Sequence, residues 1–203
     1  FGYDRDKISV TPHPIDDDFR VPHQSDFAKP YKLLYVGALA KHKGVERLLP
    51  ILAKLNQSRT DFELTIVGTG GMEQTLRDQA EELGVTDAVD FAGFVPNKEL
   101  PGVYARHDLF VFPVLWEEPL ARVYLESLAT ETPIITTEYG SIGEIIGDGG
   151  VTVDGSVESF VEGIQNIVED EQFEELSTGG KEKSDDYQLE IVVSQIEKMY
   201  ENI

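Results

Sequence analysis

The sequence contains no cysteine among its 203 residues, which removes several classes of function at once. Disulfide bonds, thiolate metal ligands and cysteine nucleophiles are all excluded. No stretch approaches the roughly 18 consecutive apolar residues of a membrane-spanning helix. The first residues also lack the basic and then apolar layout of a signal peptide, so we expect a cytoplasmic protein.

Basic side chains are scarce: 17 lysines and arginines face 38 aspartates and glutamates, which gives a formal net charge of −21. The acids are spread along the chain rather than gathered in a tail. Their repulsion from phosphate groups argues against nucleic acid or an anionic membrane as the main partner. The charge favours a protein adapted to high salt, where screening removes most of the self-repulsion. An ordinary acidic enzyme is the alternative.

Short apolar runs rich in Val, Ile and Phe alternate along the chain with helical patterns. This alternation predicts an α/β fold with a Rossmann-like parallel sheet and helices on both of its faces. Two helical segments carry apolar residues at the spacing of a core-facing stripe, namely Leu48, Ile51, Leu52 and Leu55 in the first and Leu76, Ala80 and Leu83 in the second.

The ends of the chain differ in composition from its centre. Residues 1–28 are rich in proline and predict an interdomain hinge that includes one strand. We expect a fragment of a longer protein, because the chain starts inside this linker-like stretch. Residues 29–180 predict the Rossmann-like domain. The polar stretch Ser177–Tyr187 predicts a connection to a helical segment at Leu189–Tyr200, so that residues 181–203 form a C-terminal helix.

Two carboxylates, Glu118 and Glu126, stand eight residues apart in the stretch "WEEPLARVYLESLATETPIITT". Spacing alone says little, because Glu73 and Glu81 show the same separation on a predicted surface helix. With Arg122 between them, Glu118 and Glu126 form an i, i+4, i+8 ridge, which is typical of an exposed, ion-paired helix surface.

The position of this stretch indicates a binding site instead. "LFVFPV" predicts a buried parallel strand, and Pro119 suits the first turn of a following helix, so Glu118 lies at the carboxyl end of the strand. Ligands of open α/β sheets bind at that end. A helix that begins at Pro119 leaves the N–H groups of Leu120, Ala121 and Arg122 for a phosphate. The alternative is that Glu118 binds no ligand and is an electrostatic cap of this helix.

A second candidate site is "VGALAKHKG", Val36 to Gly44, where another strand runs through a glycine into a helix. Lys41, His42 and Lys43 form a dense basic spot just before the predicted helix N-terminus. An anion is best stabilised there, although a solvated loop with lysines is the alternative. The functional interpretation is strongest for Lys43.

The stretch "IVGTGGMEQ" raises a dinucleotide-binding alternative, because Gly68 and Gly70 follow a strand and Asp90 comes twenty residues later. The third glycine of that fingerprint falls on Glu73, so tight-turn glycines explain the stretch better. The acids Asp16 to Asp18 lie in the proline-rich connection, and we assign them no metal. The histidines show no metal-ligand spacing, and His107 is predicted at the end of a helix.

In these segments the chain resembles the C-terminal, donor-binding domain of family 4 (group 1) retaining glycosyltransferases, which have the two-domain GT-B architecture. The resemblance runs in order over nearly the whole chain. Its most specific part is the pair Glu118 and Glu126, which aligns with the EX7E motif of the family. The matching segments are "ISVTPHPID", "VGALAKHKG", "LTIVGTGG", "VDFAGFV", "LFVFPVLWEEPLARVYLESLATETPIITT" and "YGSIGEIIGDGG".

The resemblance implies catalytic roles for two residues and a binding role for a third. Glu118 is expected to bond the hydroxyls of the donor sugar and to support positive charge at its anomeric carbon. Lys43 is expected to counter the charge that grows on the leaving phosphate, and Glu126 to hold the ribose hydroxyls of the nucleotide. Such chemistry depends chiefly on charge stabilisation of the departing diphosphate. Here lysine and a helix N-terminus replace a metal.

Further contacts with the donor follow from the same resemblance. Gly37 and Lys41 belong to the phosphate loop, and Val95 is expected against the base. Backbone N–H groups near Ala121, Arg122 and Val123 are expected to contact the diphosphate.

The chain also departs from the family pattern. Ala38 stands where the family usually has an arginine, so one phosphate-binding cation is missing unless Lys41 or Arg122 substitutes for it. The usual Gly-Phe-Gly after the first glutamate is Pro119, Leu120 and Ala121. The methyl group of Ala121 narrows the approach of the donor to the backbone.

As a whole, the resemblance implies a hexosyltransferase-type enzyme that uses a nucleoside-diphosphate sugar, without metal or other cofactor, and transfers the sugar with retention. The acceptor, which is a glycan, a lipid or a protein, belongs to the missing N-terminal half, so the fragment alone is expected to bind the donor without turnover. That half could also place the protein at the inner membrane face. The alternatives are a nucleotide-sugar epimerase of the same architecture and an NAD-type dinucleotide-binding module.

Overall fold

The strands among the described residues form one six-stranded sheet in which every neighbouring pair is parallel, as the alternating pattern predicts. The computed structural model describes residues 11–57, 61–116 and 121–201. The strand order is β3-β2-β1-β4-β5-β6. The strands are β1 (Tyr31–Val36), β2 (Phe62–Val67), β3 (Val89–Gly93), β4 (Leu109–Phe112), β5 (Ile134–Thr137) and β6 (Gly150–Val153).

The central strands are apolar along their whole length. Every residue of β4 and β5 is buried, as are the last four residues of β1. A strand covered by helices on both faces has no solvated side, so its sequence reads as a continuous run rather than as an alternation. The runs "LFVF" and "IITT" therefore identify the middle of the sheet.

Eight α-helices lie among the described residues and flank the sheet. Helix α1 packs against α2 and α6, and α4 packs against α3, α5 and α7. The helices are α1 (Leu48–Leu55), α2 (Glu73–Leu83), α3 (Leu100–Ala105), α4 (Arg122–Ala129), α5 (Ile142–Ile146), α6 (Val157–Glu169), α7 (Phe173–Asp185) and α8 (Leu189–Glu201). No helix in the described part of the chain is long and apolar enough to span a bilayer.

The predicted stripe of α1 is confirmed, because all four of its residues are buried. In α2, Leu76 and Ala80 are buried, but Leu83 is 39% exposed. Leu83 is the last residue of α2, and Gly84 follows in the left-handed conformation that ends the helix. Leu83 therefore lies where the chain turns away from the core.

The polar stretch Ser177–Tyr187 is mostly helical, so its prediction as a connection is wrong. It forms most of α7, whose buried residues recur at helical spacing as Phe173, Leu176, Gly180 and Ser184. Its glycines serve close packing: a Cβ on Gly179 would lie 2.4 Å from the carbonyl oxygen of Asp148. Small residues let two backbones approach each other, and a sequence pattern does not distinguish this use from a turn.

The N-terminal segment is tied to the rest of the molecule. Ile15 and Phe19 are buried, and the backbone N–H of Ile15 donates to the carbonyl of Tyr187 at 2.8 Å. Asp16 accepts a hydrogen bond from the N–H of Asp18 and so caps the turn Asp17–Phe19. The strand expected at the start of the hinge falls on residues 1–10, outside the described part of the chain, and the hinge role stays a prediction.

The order of the strands reverses between β1 and β4. The chain moves outward from β1 through β2 to β3, then crosses back to β4 and moves outward through β5 to β6. The segments that leave the carboxyl ends of β1 and β4 therefore turn in opposite directions. In sheets of this kind a crevice forms at that reversal, and ligands bind there.

Candidate functional site

The segments that follow β1 and β4 touch each other at the reversal of strand order. The N–H of Leu115 donates to the carbonyl of His42 at 3.1 Å. Gly44 has a φ of 71°, and a Cβ there would lie only 1.7 Å from the carbonyl oxygen of Pro113. Because only glycine tolerates both the conformation and the contact, "AKHKG" and "PVLW" form one surface.

The three basic residues of the first segment form a short turn at Lys41–Lys43. A second turn at Val45–Arg47 separates them from α1, which begins at Leu48, so the helix starts later than the pattern predicts. Lys43 Nζ lies 5.7 Å from the ring centroid of Phe112, the last residue of β4. This contact brings the lysine to the carboxyl end of the neighbouring strand, where the crevice is expected.

Helix α4 also begins later than predicted, at Arg122 rather than at Pro119. Ala121 precedes it in an extended conformation, with φ −77° and ψ 120°. Its first N–H groups are therefore those of Arg122, Val123 and Tyr124, and that of Tyr124 already donates to the carbonyl of Ala121 at 3.0 Å. Pro119 and the predicted catalytic Glu118 lie in residues 117–120, outside the described part of the chain.

Glu126 is buried, which rules out the exposed, ion-paired helix surface as its environment. Only 8% of the residue is exposed, although it lies one turn after the exposed Arg122. Its Oε2 accepts a hydrogen bond of 3.2 Å from Oη of Tyr104 on α3, and its Oε1 lies 4.0 Å from Nε of Arg122. The expected ion pair with Arg122 is present, but the carboxylate belongs to the interior.

Burial shifts the pKa of both partners in this contact. Loss of solvation raises the pKa of Glu126, and the hydrogen bond from Tyr104 and the charge of Arg122 oppose the rise. The carboxylate of Asp16, in the N-terminal segment, raises it further. Burial also raises the pKa of Tyr104 well above 10.0, and the neighbouring Glu126 adds to this effect. Tyr104 is therefore a hydrogen-bond donor at neutral pH.

The remaining predicted residues lie in the segments after β1 and β3. Gly37 follows β1 directly, and a Cβ there would meet Oη of Tyr35 at 2.8 Å. The same hydroxyl donates to the carbonyl of Ala38 at 2.9 Å, so a side chain of β1 fixes the backbone of this loop. Val95 is half-buried in the loop after β3, beside Phe94, which is 75% exposed.

The glycines after β2 pack their loop against the loop after β1. A Cβ on Gly68 would lie 1.8 Å from the carbonyl oxygen of Gly37, and one on Gly70 would lie 2.3 Å from that of Leu39. Asp90 is the second residue of β3 and pairs in register with Thr65, so it lies away from the carboxyl end where a ribose-binding acid is needed. The geometry thus favours tight-turn glycines over the dinucleotide fingerprint.

Sequence reasoning missed Tyr104 as a partner of the site. Its surroundings, "LPGVYARH", predict a buried helix, and a buried tyrosine hydroxyl needs a hydrogen-bond partner. That requirement was the available signal, but it does not say which polar side chain supplies the partner. The predicted position of His107 is confirmed: it lies two residues after the end of α3, where Nδ1 is 2.6 Å from the carbonyl oxygen of Val103.

Comparison with known proteins gives the same family from independent alignments. The chain matches the family Glycosyl transferases group 1 over residues 17–183. It is 37% identical over 120 residues to a glycogen synthase of Mycobacterium tuberculosis, an alignment that covers 59% of this chain and 29% of the relative. A GDP-mannose-dependent alpha-(1-6)-phosphatidylinositol monomannoside mannosyltransferase of Mycolicibacterium smegmatis is 30% identical over 178 residues, or 83% of this chain and 46% of the relative. The chain thus spans less than half the length of either curated relative.

A solved structure identifies which half of such enzymes the fold represents. The C-terminal domain of a group 1 glycosyl transferase from Francisella tularensis superposes with a TM-score of 0.73 at 18% identity. The superposition covers 86% of this chain and 99% of that domain. The fold is therefore that of the C-terminal half of a GT-B enzyme, and with a family match over residues 17–183 the chain belongs to the group 1 glycosyltransferases.

Proposed function

We propose that this chain is the donor-binding half of a retaining, metal-independent hexosyltransferase and that it binds a nucleoside-diphosphate sugar. The observation that carries the proposal is the junction of the segments after β1 and β4. Lys43 lies against Phe112 there, and α4 begins ten residues after β4 ends and carries the buried Glu126. Positive charge and a buried hydrogen-bond acceptor thus flank the crevice of the sheet.

The diphosphate binds between the basic segment after β1 and the N-terminus of α4. Lys41 and Lys43 supply charge from the first segment, next to the close backbone approach at Gly37. Ala121 and the N–H groups of Arg122 and Val123 supply dipoles from the start of α4, where anions are stabilised. Arg122, whose side chain is 65% exposed, compensates for the absence of an arginine at position 38.

The nucleoside binds next to Glu126 and Val95. The carboxylate of Glu126 accepts hydrogen bonds from the ribose hydroxyls, and Val95 contacts the base. The sugar extends toward Glu118, which bonds its hydroxyls and stabilises positive charge at the anomeric carbon. Fixed charges and dipoles that face the leaving diphosphate lower the barrier for breaking the glycosidic bond, because they need no rearrangement as charge develops.

The acceptor belongs to the rest of a longer protein. Because the chain spans less than half of its relatives, we infer that a second domain completes the cleft and positions a glycan, lipid or protein acceptor. The chain alone then binds the donor without transferring the sugar. The name of the mycobacterial mannosyltransferase includes a phosphatidylinositol monomannoside, and a lipid acceptor of that kind would bring the second domain of the present protein to a membrane surface.

Calorimetric titration of the 203-residue chain with UDP, GDP, ADP and NAD tests the proposal. The buffer contains about 1 M KCl, which screens the negative charge of the protein. Binding of one nucleoside diphosphate supports the donor site and identifies the base. Binding of NAD alone would contradict the proposal, as would the absence of binding to all four ligands. In the longer protein, an assay that separates transfer, hydrolysis and epimerisation distinguishes a transferase from an epimerase of the same architecture.

A further inference from the structure

Glu126 is held by a side chain from another helix. Oη of Tyr104, on α3, donates a 3.2 Å hydrogen bond to Oε2 of Glu126. Tyr104 is fully buried, so water does not compete for its hydroxyl. A hydrogen bond from a neutral donor to a carboxylate is among the stronger types in proteins, and it also fixes the rotation of the carboxylate plane.

The position of the Tyr104 ring is set by the core. Phe19, from the N-terminal segment, contacts it edge-on at 6.3 Å between ring centroids, and Phe110 of β4 does so at 5.5 Å. The interplanar angles are 65° and 67°. The two aromatic neighbours therefore restrict the ring of Tyr104 through contacts that do not involve Glu126.

The two oxygens of Glu126 therefore differ. Oε2 is engaged by the buried hydroxyl of Tyr104. Oε1 lies 4.0 Å from Nε of Arg122, whose side chain is 65% exposed. Oε1 thus lies beside a side chain that reaches solvent, and its lone pairs can accept a further hydrogen bond.

We propose that Tyr104 is a positioning residue of the nucleotide site, whose hydroxyl holds Glu126 so that Oε1 accepts hydrogen bonds from a ribose diol. The inference rests on the proposed function, because it takes the ribose as the group that Glu126 binds. A carboxylate that is already oriented loses little conformational entropy when the ligand binds. A carboxylate that rotates freely loses more, and this loss weakens the affinity.

The same contact influences the charge of Glu126. Among the described residues, the groups that act on the carboxylate are Tyr104 on α3, Arg122 on its own helix and Asp16 in the N-terminal segment. The hydroxyl of Tyr104 and the charge of Arg122 favour the ionised form, whereas burial and Asp16 disfavour it. Loss of the hydroxyl leaves Arg122 as the remaining opposition. The pKa of Glu126 then rises further. As the pH is lowered, the carboxylate of the variant takes up its proton earlier, so nucleotide binding begins to weaken at a higher pH than in the wild type.

The test measures discrimination between nucleotides with and without the ribose diol. Wild type, Tyr104→Phe and Tyr187→Phe are titrated with whichever of UDP, GDP and ADP binds, and with its 2′,3′-dideoxy counterpart. Tyr187 is the matched control, because it is also a buried tyrosine whose hydroxyl donates a 3.2 Å hydrogen bond, to the carbonyl of Ile145. Tyr104→Phe should weaken binding of the ribonucleotide about ten-fold and leave the dideoxy form nearly unchanged. Tyr187→Phe should change neither.

The outcomes distinguish a failure of this inference from a failure of the proposed function. An equal loss for both nucleotides would show that Tyr104 acts through folding alone, and it overturns the inference, as does an unchanged ribonucleotide affinity. A wild type that binds both forms equally overturns the ribose role of Glu126 but keeps the donor site. No binding of any nucleoside diphosphate contradicts the proposed function as well.

A second variant keeps the test informative if Tyr104→Phe does not fold. Glu126→Asp retains the charge but withdraws the carboxylate from Oη of Tyr104 by one methylene. It should lose discrimination to a similar extent. Full discrimination in this variant overturns the inference.

Discussion

At Glu126 an acidic side chain lies inside a protein whose surface is rich in acid. Its burial raises its pKa, so the folded state takes up a proton more readily than the unfolded chain does. The stability contributed by this group is therefore fully present below its ordinary pKa and is lost as the pH rises through the raised value. A carboxylate kept at such a cost points to a role in binding.

Replacement of Glu126 by glutamine should make stability less dependent on pH. The amide oxygen of Glu126→Gln still accepts the hydrogen bond from Tyr104, but the side chain no longer ionises. The variant should gain free energy of unfolding relative to the wild type as the pH rises from 4.5, the ordinary pKa of the group. Urea unfolding at several pH values measures the difference.

Glu81→Gln serves as the control, since it removes one negative charge from the exposed surface of α2. The prediction for Glu126 fails if the two variants differ from the wild type by the same amount at every pH.

Lys43 Nζ lies 5.7 Å from the ring centroid of Phe112 at the end of β4, and loss of this cation should weaken binding of the diphosphate. Lys43→Met should lower the affinity for the nucleoside diphosphate about ten-fold, because a charge-assisted contact is lost. Lys32→Met removes an exposed lysine from the opposite end of the sheet, at the start of β1, and should not change the affinity. Equal effects of the two variants in calorimetry would mean that only the overall charge matters.

At the scale of elements, two glycines with nearly the same φ have different surroundings. Gly44 has a φ of 71° and Gly84 a φ of 69°. A Cβ on Gly44 would meet the carbonyl of Pro113 at 1.7 Å, whereas one on Gly84 would have nothing within 4 Å. The first glycine joins the segments after β1 and β4, and the second only ends α2.

The alanine variants of these glycines separate backbone strain from the loop contact. Gly84→Ala should cost about 1–2 kcal/mol, which is the price of a left-handed conformation for an L-residue. Gly44→Ala carries that strain plus a steric clash with backbone, so it should cost more and should also weaken nucleotide binding. Urea unfolding and calorimetry on both variants provide the measurement. Equal costs would show that the loops separate easily and that their contact does not build the site.

At the scale of the whole molecule, a net charge of −21 on 203 residues opposes the compact state. Salt shortens the range of this repulsion from about 10 Å at 0.1 M to about 3 Å at 1 M. The ion pairs among the described residues lie mostly at the surface, as between Lys29 and Asp61 or Lys181 and Glu131, and exposed pairs contribute little to stability. Screening of the net repulsion should therefore outweigh the weakening of these pairs.

The protein should become more stable as KCl is raised from about 0.1 M to about 1 M, as expected for adaptation to high salt. The measurement is the thermal midpoint of unfolding, with NaCl at equal ionic strength as a check that screening rather than a specific ion is responsible. A midpoint that falls or stays level with both salts would favour an ordinary acidic enzyme.

The sequence alone determined the parts of the structure that depend on local pattern. The continuous apolar runs of β4 and β5 predicted buried parallel strands, and the stripe from Leu48 to Leu55 predicted the buried face of α1. These succeed because side-chain burial repeats with the period of the element that carries it. The resemblance that led to the family lay in the same segments.

Only the tertiary structure decided what depends on contacts between distant segments. The spacing of Glu118 and Glu126 indicated an exposed helix surface as readily as a site, and burial of Glu126 under the hydroxyl of Tyr104, 22 residues away, settled its environment. Likewise, the polar stretch after Ser177 became part of α7 because Gly179 and Gly180 pack against the backbone near Asp148. A side chain's neighbours come from elements that the fold brings together, and no local pattern encodes which atoms these are.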